Sequence, residues 1–365
     1  MAIVTSLQFS PSSGALMCDE EYWYLRRRRS FFLDNIRNVI PEEVSDALDI
    51  YAGYGGWGHP GFHEEVIQRT REAVFKMWKD GKSAELLDLE NIAMVIRRVM
   101  EEVRRRKIDD MLKFLYGFTV DELNQGYFEE NNEKIEIKQD AVIKAAKGII
   151  TFQTKNGMTE SIFKNKCVFT GYDPTWGFRG WHINAENTVC SLISGGFEAI
   201  GAGMYGAGIE FSRIMNRLTL DQRRKGFDRV WGVIALIEAT LNAWEHFHEV
   251  GGGLHMVLID GKAKNKADRY RELSDHIMRL AHEMVTAVRF GMTCYQTIYP
   301  LMDDLIFNQV NLKTVEKSFI DTAHSPSDLK KLLRGYKFHP YPEPVTVKMQ
   351  TPSEPKSVSK KEKRS

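Results

Sequence analysis

Cysteine is scarce and scattered: Cys18, Cys167, Cys190 and Cys294 are the only four in 365 residues, and no two form a C-x-x-C pair. That argues against a disulfide framework and a zinc ribbon, and it favours a reducing, cytoplasmic setting. An excess of one charge is lacking too. Fifty lysines and arginines face 49 aspartates and glutamates, a net charge of +1. No global field therefore draws the chain to nucleic acid or to a membrane surface. No run approaches the roughly 20 apolar residues that a membrane span needs. The opening MAIVTSLQF has neither a basic stretch nor a long apolar one, so no signal peptide is expected. Repeats and sustained heptads are missing, which excludes solenoids and coiled coils. With 43% hydrophobic and 27% charged residues, the chain has a globular composition and the length for one large domain or two ordinary ones.

Patterning supplies the elements. Ala2–Phe9 is β-rich, SPSSG (10–14) is turn chemistry, and ALMCD (15–19) resumes a strand. Arg26–Arg29 reads as a solvated run, with a phosphate patch as its alternative. Phe31–Ile40 and Ala47–Gly53 read as strands. YGGWGHPGFHEE (54–65) is a glycine turn opening a helix to about Trp78. Ile92, Val95, Ile96, Val99 and Val103 recur at helical spacing on a second helix. Residues 119–164 are polar and irregular and read as an insertion, with a strand pair expected within 148–163. Strands return at 166–173 and 177–189. Thr219-Leu220-Asp221-Gln222 resembles a capping box and predicts a helix to about Phe247. GGGLHMVLIDG (251–261) is a turn and a buried strand. A long helix over 268–305 carries Leu273, Ile277, Leu280, Met284 and Val288 as a stripe, an expected interface. Hairpins and helix pairs in blocks argue for α+β with mainly antiparallel sheets.

Gly201-Ala202-Gly203-Met204-Tyr205-Gly206 fits G-x-G-x-x-G. A dinucleotide turn also needs a second parallel strand ending in an acid about 20 residues on. Thr219–Arg224 stands there and reads as a helix start, so the context fails and no cofactor is expected. The plainer reading is that small residues let a helix approach a strand closely.

Taken together, five segments resemble a proteasome β-type subunit or its bacterial relative HslV, of the N-terminal-nucleophile hydrolases. AIVTSLQF…GALMCD looks like that family's first hairpin, and DIYAGYGG (49–56) like its strand with a backbone-binding glycine. CVFTGYD looks like its central strand, EAIGAGMYGAG like its strand-to-helix turn, and HFHEVGGGLHMVLID like its later turn and strand. The order agrees over about 2–118 and 165–260. The resemblance implies a four-layer αββα sandwich over 1–262, interrupted by the insertion at about 119–164. A helical extension over 263–338 and a disordered tail over 339–365, rich in Pro, Ser and Lys, lie outside it. The basic KKEKR (360–364) in that tail reads as solubilising.

Such enzymes attack with an N-terminal hydroxyl or thiol and use the free α-amine, whose pKa lies near neutral, as base. The resemblance maps the pocket onto Ala2, Asp19, Asn35, Gly53, Ala202, Gly203, His248, Glu249 and Gly251. Asn35 stands where the family keeps a lysine, sixteen positions after its aspartate, and an amide cannot supply that charge. Ala202 replaces a hydroxyl. The nucleophile position falls on Met1, Ala2 or Ile3, none of which has a hydroxyl or thiol. The expectation is a structural or assembly protein without peptidase activity, self-associating into rings or stacks. A related subunit or an unfoldase is a further conceivable partner. The alternative is a threonine-type peptidase or amidohydrolase activated by processing to Thr5 or Ser6. A third reading builds other chemistry on Asp19, His248 and Glu249. His59, His63 and Glu64, with His246, His248, Glu249 and His255, could suit zinc or iron, but capping and surface roles are preferred and no metal is expected. Tyr51 is placed in the specificity pocket, with core packing preferred.

Overall fold

The computed structural model describes residues 3–24, 27–30, 35–81, 87–187, 189–221 and 226–331, with the backbone alone at 21–24 and 27–30. Ala2, Arg26, residues 31–34, Gln222 and the tail over 339–365 therefore lie outside the described residues.

Fourteen strands are described. They are β1 Ile3–Ser10, β2 Ser13–Asp19, β3 Glu21–Tyr24, β4 Arg27–Ser30, β5 Ile36–Asn38, β6 Tyr51–Trp57, β7 Tyr127–Glu130 and β8 Glu133–Glu136. The rest are β9 Lys166–Asp173, β10 Gly177–Asn184, β11 Val189–Leu192, β12 Phe197–Gly201, β13 Leu254–Asp260 and β14 Tyr270–Glu272. One antiparallel sheet runs β12-β1-β2-β13-β14 and another runs β11-β10-β9-β6-β5; β3–β4 and β7–β8 are separate hairpins. The α+β class with antiparallel sheets thus holds.

Period-two alternation decides where each strand's side chains go. On β2, Leu16 and Cys18 join Val4, Tyr51, Val168 and Phe178, a cluster drawn from both large sheets. Their neighbours Ala15 and Met17 point the other way, into a core with Val233, Ile237 and Met284. On β9, Val168 belongs to the cluster shared by the sheets, while Cys167 and Phe169 pack with Ile92, Ile96 and Val99. Central strands buried on both faces read as largely apolar runs, and IVTSLQF and KCVFTGYD are such runs.

The helices are α1 Glu42–Leu48, α2 Pro60–Lys79, α3 Leu89–Tyr116, α4 Val120–Gln125, α5 Asp140–Ile150, α6 Gly157–Phe163 and α7 Met204–Asn216. Then follow α8 Arg229–His246, α9 Asp275–Arg289, α10 Tyr295–Met302, α11 Leu312–Asp321 and α12 Pro326–Leu329. Among the described residues no helix is long and apolar enough to cross a membrane.

Four sequence expectations need correction. The strand read at 47–53 begins only at Tyr51. Residues 42–48 form α1, with Glu42 and Glu43 favoured in its first turn by the helix dipole. The strand pair sought in 148–163 is instead the end of α5 and all of α6. Ala146 and Ile149 reach one small core at helical spacing, and Asn156 and Thr159 form a reciprocal capping box that starts α6. The helix expected from Thr219 to Phe247 is not continuous: Leu220 and Asp221 are helical, but 226–228 are not, and α8 starts at Arg229. Asp228 caps it, accepting from Val230 N at 3.0 Å and Trp231 N at 3.2 Å. The single helix over 268–305 is β14, α9 and α10, broken at Gly291 with φ +69°. Its stripe faces inward: Leu273, Leu280 and Met284 share the core of Met17 and Ile234.

Candidate functional site

The end of the first large sheet gathers several of the residues singled out above. In the ladders, Ile3 pairs with Gly201, Val4 with Cys18, and Leu254 with Asp19. Asp19 closes β2 and is fully buried. Its Oδ1 accepts the Ile3 backbone N–H at 2.6 Å, and its Oδ2 accepts the Gly251 N–H at 2.8 Å. Asn35 Nδ2 donates to the Asp19 carbonyl at 3.1 Å, and the Asn35 carbonyl accepts from Gly56 N at 3.0 Å. Asp19 therefore ties the start of β1 to the turn before β13. Asn35 ties that junction to β6 in the second sheet.

What surrounds Ile3 is apolar. Its side chain is fully buried with Ala207, Ala239, Ala243 and Val250, and half-buried Ala202 packs on the same group. A methyl group built on Gly203 would lie 2.6 Å from Ala243 Cβ and 2.8 Å from Val250 Cγ2. Gly201 sits at φ +109°, where a side chain would be strained. The glycines of GAGMYG thus set the approach of α7 to α8. Thr5 is buried in mid-ladder between Ala199 and Met17, and its Oγ1 donates to the Met17 carbonyl at 3.3 Å. Ser6 is buried beside it. Gly53 is embedded between Asn38 and Thr170, with Leu16 Cδ2 at 3.0 Å from where a methyl would stand. Tyr51 is part of the core between the sheets. His248 is exposed and Glu249 half-buried in the turn after α8. Ala2 lies outside the described residues.

The histidines divide by environment. His59 stands at the start of α2, half-buried, and burial pushes it below the usual histidine value, with Lys107 adding to this. His63, one turn on, is buried and its Nδ1 lies 2.6 Å from Tyr54 Oη. Burial drives His63 down to about 4 and holds the Tyr54 hydroxyl well above the usual phenol range. Glu64 and His246 are exposed. His255 Nε2 lies 2.9 Å from Glu272 Oε1. Nearby Glu20 is raised, by burial first and then by Asp275. Among the described residues no three histidine, cysteine or acidic side chains are arranged to hold a metal ion. The Tyr54–His63 pair was not foreseen. Its signal is Gly56, whose missing side chain leaves room for the His63 ring: a methyl carbon placed there would stand 2.8 Å from the ring.

Chemically, the junction offers a buried Asp19 side chain that accepts two backbone N–H groups, the Asn35 side-chain amide on the Asp19 backbone carbonyl, and a wall of methyl groups. Among its described residues none presents a hydroxyl or thiol to Asp19's partners Ile3 and Gly251.

No family profile matches the chain, and no curated protein matches it. Among solved structures it is similar to the Anbu (Gly-1) mutant from Hyphomicrobium sp. strain MC1, at 11% identity and a TM-score of 0.47. The match covers 80% of this chain and 96% of that one. So distant a likeness assigns no family. Membership of the proteasome β/HslV superfamily, implied by the sequence motifs, is therefore withdrawn. The physical reason lies in the motifs themselves. They consist of glycines and strand aliphatics, and here Gly53 and Gly203 serve packing against Leu16, Ala243 and Val250. Closely packed layers ask for such residues whatever the ancestry.

Proposed function

We propose that this protein is a non-catalytic structural protein that self-associates through its helices. The carrying observation is the Asp19 carboxylate, which holds the backbone of Ile3 and Gly251 beside an apolar wall. Thr5, the alternative nucleophile, spends its hydroxyl on the Met17 carbonyl inside a ladder, which counts against the processed-peptidase reading. We take the fold as an αββα sandwich over about 1–262, with the insertion at about 119–164, and a C-terminal extension whose described part, 263–331, adds β14 to the first sheet and then α9 to α12. Shared core residues on both faces of each large sheet support the layering. For assembly into a ring or stack, α7 offers Tyr205 and Ile209, one turn apart and each 68% exposed. A net charge of +1 adds little repulsion between copies.

The test combines light scattering with a hydroxyl-directed epoxyketone probe, read by intact mass. The expected result is an oligomer and no covalent adduct. A monomeric mass overturns the assembly reading, and labelling at Thr5 or Ser6 overturns the non-catalytic one.

A further inference from the structure

A separate concavity of about 460 Å³ opens between α7, α8 and the first turn of α10. It has a size typical of small-molecule sites. Ile214, Phe227, Trp231, Ile234 and Ala235 supply apolar walls, and Trp231 is 42% exposed beside Tyr295, with ring centroids 5.4 Å apart.

Three acids line the same space, and each is served by donors of this chain. Glu210, 6% exposed, takes the Arg213 guanidinium on both oxygens, Nε lying 2.9 and 3.0 Å away. Glu238, 4% exposed, accepts Tyr295 Oη at 2.6 Å and Arg289 Nη1 at 3.2 Å. Asp228 accepts Tyr299 Oη at 2.8 Å and two amides of α8. Among the described residues, the cation left over is Arg217. It lines the mouth, and no hydrogen bond or ion pair joins it to another side chain among the described residues.

We propose that this pocket binds a small amphipathic monoanion, its apolar body against Trp231 and Ile234 and its carboxylate at Arg217. The buried acids fix the orientation. A carboxylate pushed to the floor would meet Glu210 and Glu238 in a medium of low dielectric, whereas at the mouth it meets Arg217 in partial contact with water. Binding is therefore body first, head outward. An amine of the same length gains nothing at the mouth, and at the floor it competes with Arg213 and Arg289 for carboxylates they already hold.

The experiment is calorimetric titration of the full chain with octanoate, octanamide and heptyltrimethylammonium, three probes sharing one heptyl body. Octanoate binds saturably at one site per chain. Octanamide binds roughly two- to fivefold more weakly, the difference an exposed charge pair makes. The ammonium binds more weakly still. In Arg217→Gln the octanoate affinity falls to the octanamide level and octanamide is unchanged; Trp231→Ala weakens both. Saturable binding of octanoate absent up to about 1 mM overturns the proposal. Equal affinity of acid and amide overturns the charge assignment, as does an Arg217→Gln effect of the same size on both.

Discussion

Gly203→Ala separates a packing glycine from a ligand-cradling one. Gly203 has φ −89° and ψ 6°, in the sparsely populated bridge region, which alanine can enter without the positive φ that demands glycine, so the main effect is steric. The new methyl would sit 2.6 Å from Ala243 Cβ, 2.8 Å from Val250 Cγ2 and 3.2 Å from Ile3 Cδ1. Comfortable carbon contacts are about 3.5–4.0 Å, so α7 must retreat from α8 by roughly 1 Å. Gly206, next on the same face, rests against the Ala243 backbone with only 3.1 Å to spare for a methyl, so the retreat also opens that contact. Overpacking of this kind destabilises by about 1–3 kcal/mol. Gly208 is the internal control. It lies on the same helix, and a methyl added to it would meet no heavy atom within 4 Å, so Gly208→Ala should stabilise by about 0.5–1 kcal/mol. Urea unfolding followed by circular dichroism reads both, as opposite midpoint shifts at unchanged slope. If Gly203→Ala matches or exceeds the wild type in stability, the packing explanation of GAGMYG is wrong, and a ligand role for these glycines reopens.

Asp19→Asn turns an amide –NH₂ toward one of two buried backbone N–H groups, and unfolding free energy should fall by about 1–3 kcal/mol; a drop below about 0.5 kcal/mol would contradict its role as a joint. His63 titrates near 4 when folded but about 6.5 when unfolded, so only the unfolded chain gains a proton between those values. Its neutral ring is fully accommodated above about pH 6.5, and stability falls as pH drops toward 4, by about 3 kcal/mol in all; an NMR titration in which the His63 ring protonates near 6.5 would refute this. Tyr295→Phe removes the donor 2.6 Å from buried Glu238 and should lower stability by about 1–2 kcal/mol, measured by the same urea assay, whereas Tyr205→Phe on the surface should not. Tyr205→Glu with Ile209→Glu should shift the light-scattering mass toward the monomer while leaving the unfolding midpoint within about 0.5 kcal/mol of the wild type; an unchanged assembly would clear α7 of the interface.

Much of the fold was legible because period-two and period-3.6 patterns are local. KCVFTGYD, LHMVLID and the Ile92–Val103 stripe all became the elements their spacing implied. The failures have local competitors. GIIT looks like a strand by its β-branched residues, but Ala146 and Ile149 found a helical face to bury, and burial outweighs propensity. Residues 268–305 looked like one helix. Gly291 and the short β14 divide that span, and neither breaks an apolar count. The site was legible only as a set of neighbours. That Ile3, Asp19, Asn35 and Gly251 meet was readable from motif order. That Asp19 spends both oxygens on backbone amides was not, because backbone donors leave no mark in a sequence.

A carboxylate serves catalysis when it faces a group whose proton or charge changes during reaction. Gly251 N is a peptide nitrogen and changes neither. Ile3 N is likewise a peptide nitrogen while residue 2 precedes it. Were the chain trimmed to Ile3, that nitrogen would become an α-amine of pKa near 8, paired with Asp19 2.6 Å away. Such an amine could accept a proton. Its own residue would still offer only a sec-butyl group, packed on Ala243 and Val250, and Thr5 would still lie two ladder positions along with its hydroxyl on Met17. Trimming to Ile3 supplies a base without a nucleophile. Trimming to Thr5 supplies a nucleophile but removes Ile3 and Val4, and with them the Asp19 bond, the pairing with Gly201 and Cys18, and the plug of the Ala207–Ala243 cluster. On either trimming, completing a catalytic pair would take atoms from the joint, which supports the non-catalytic reading proposed above.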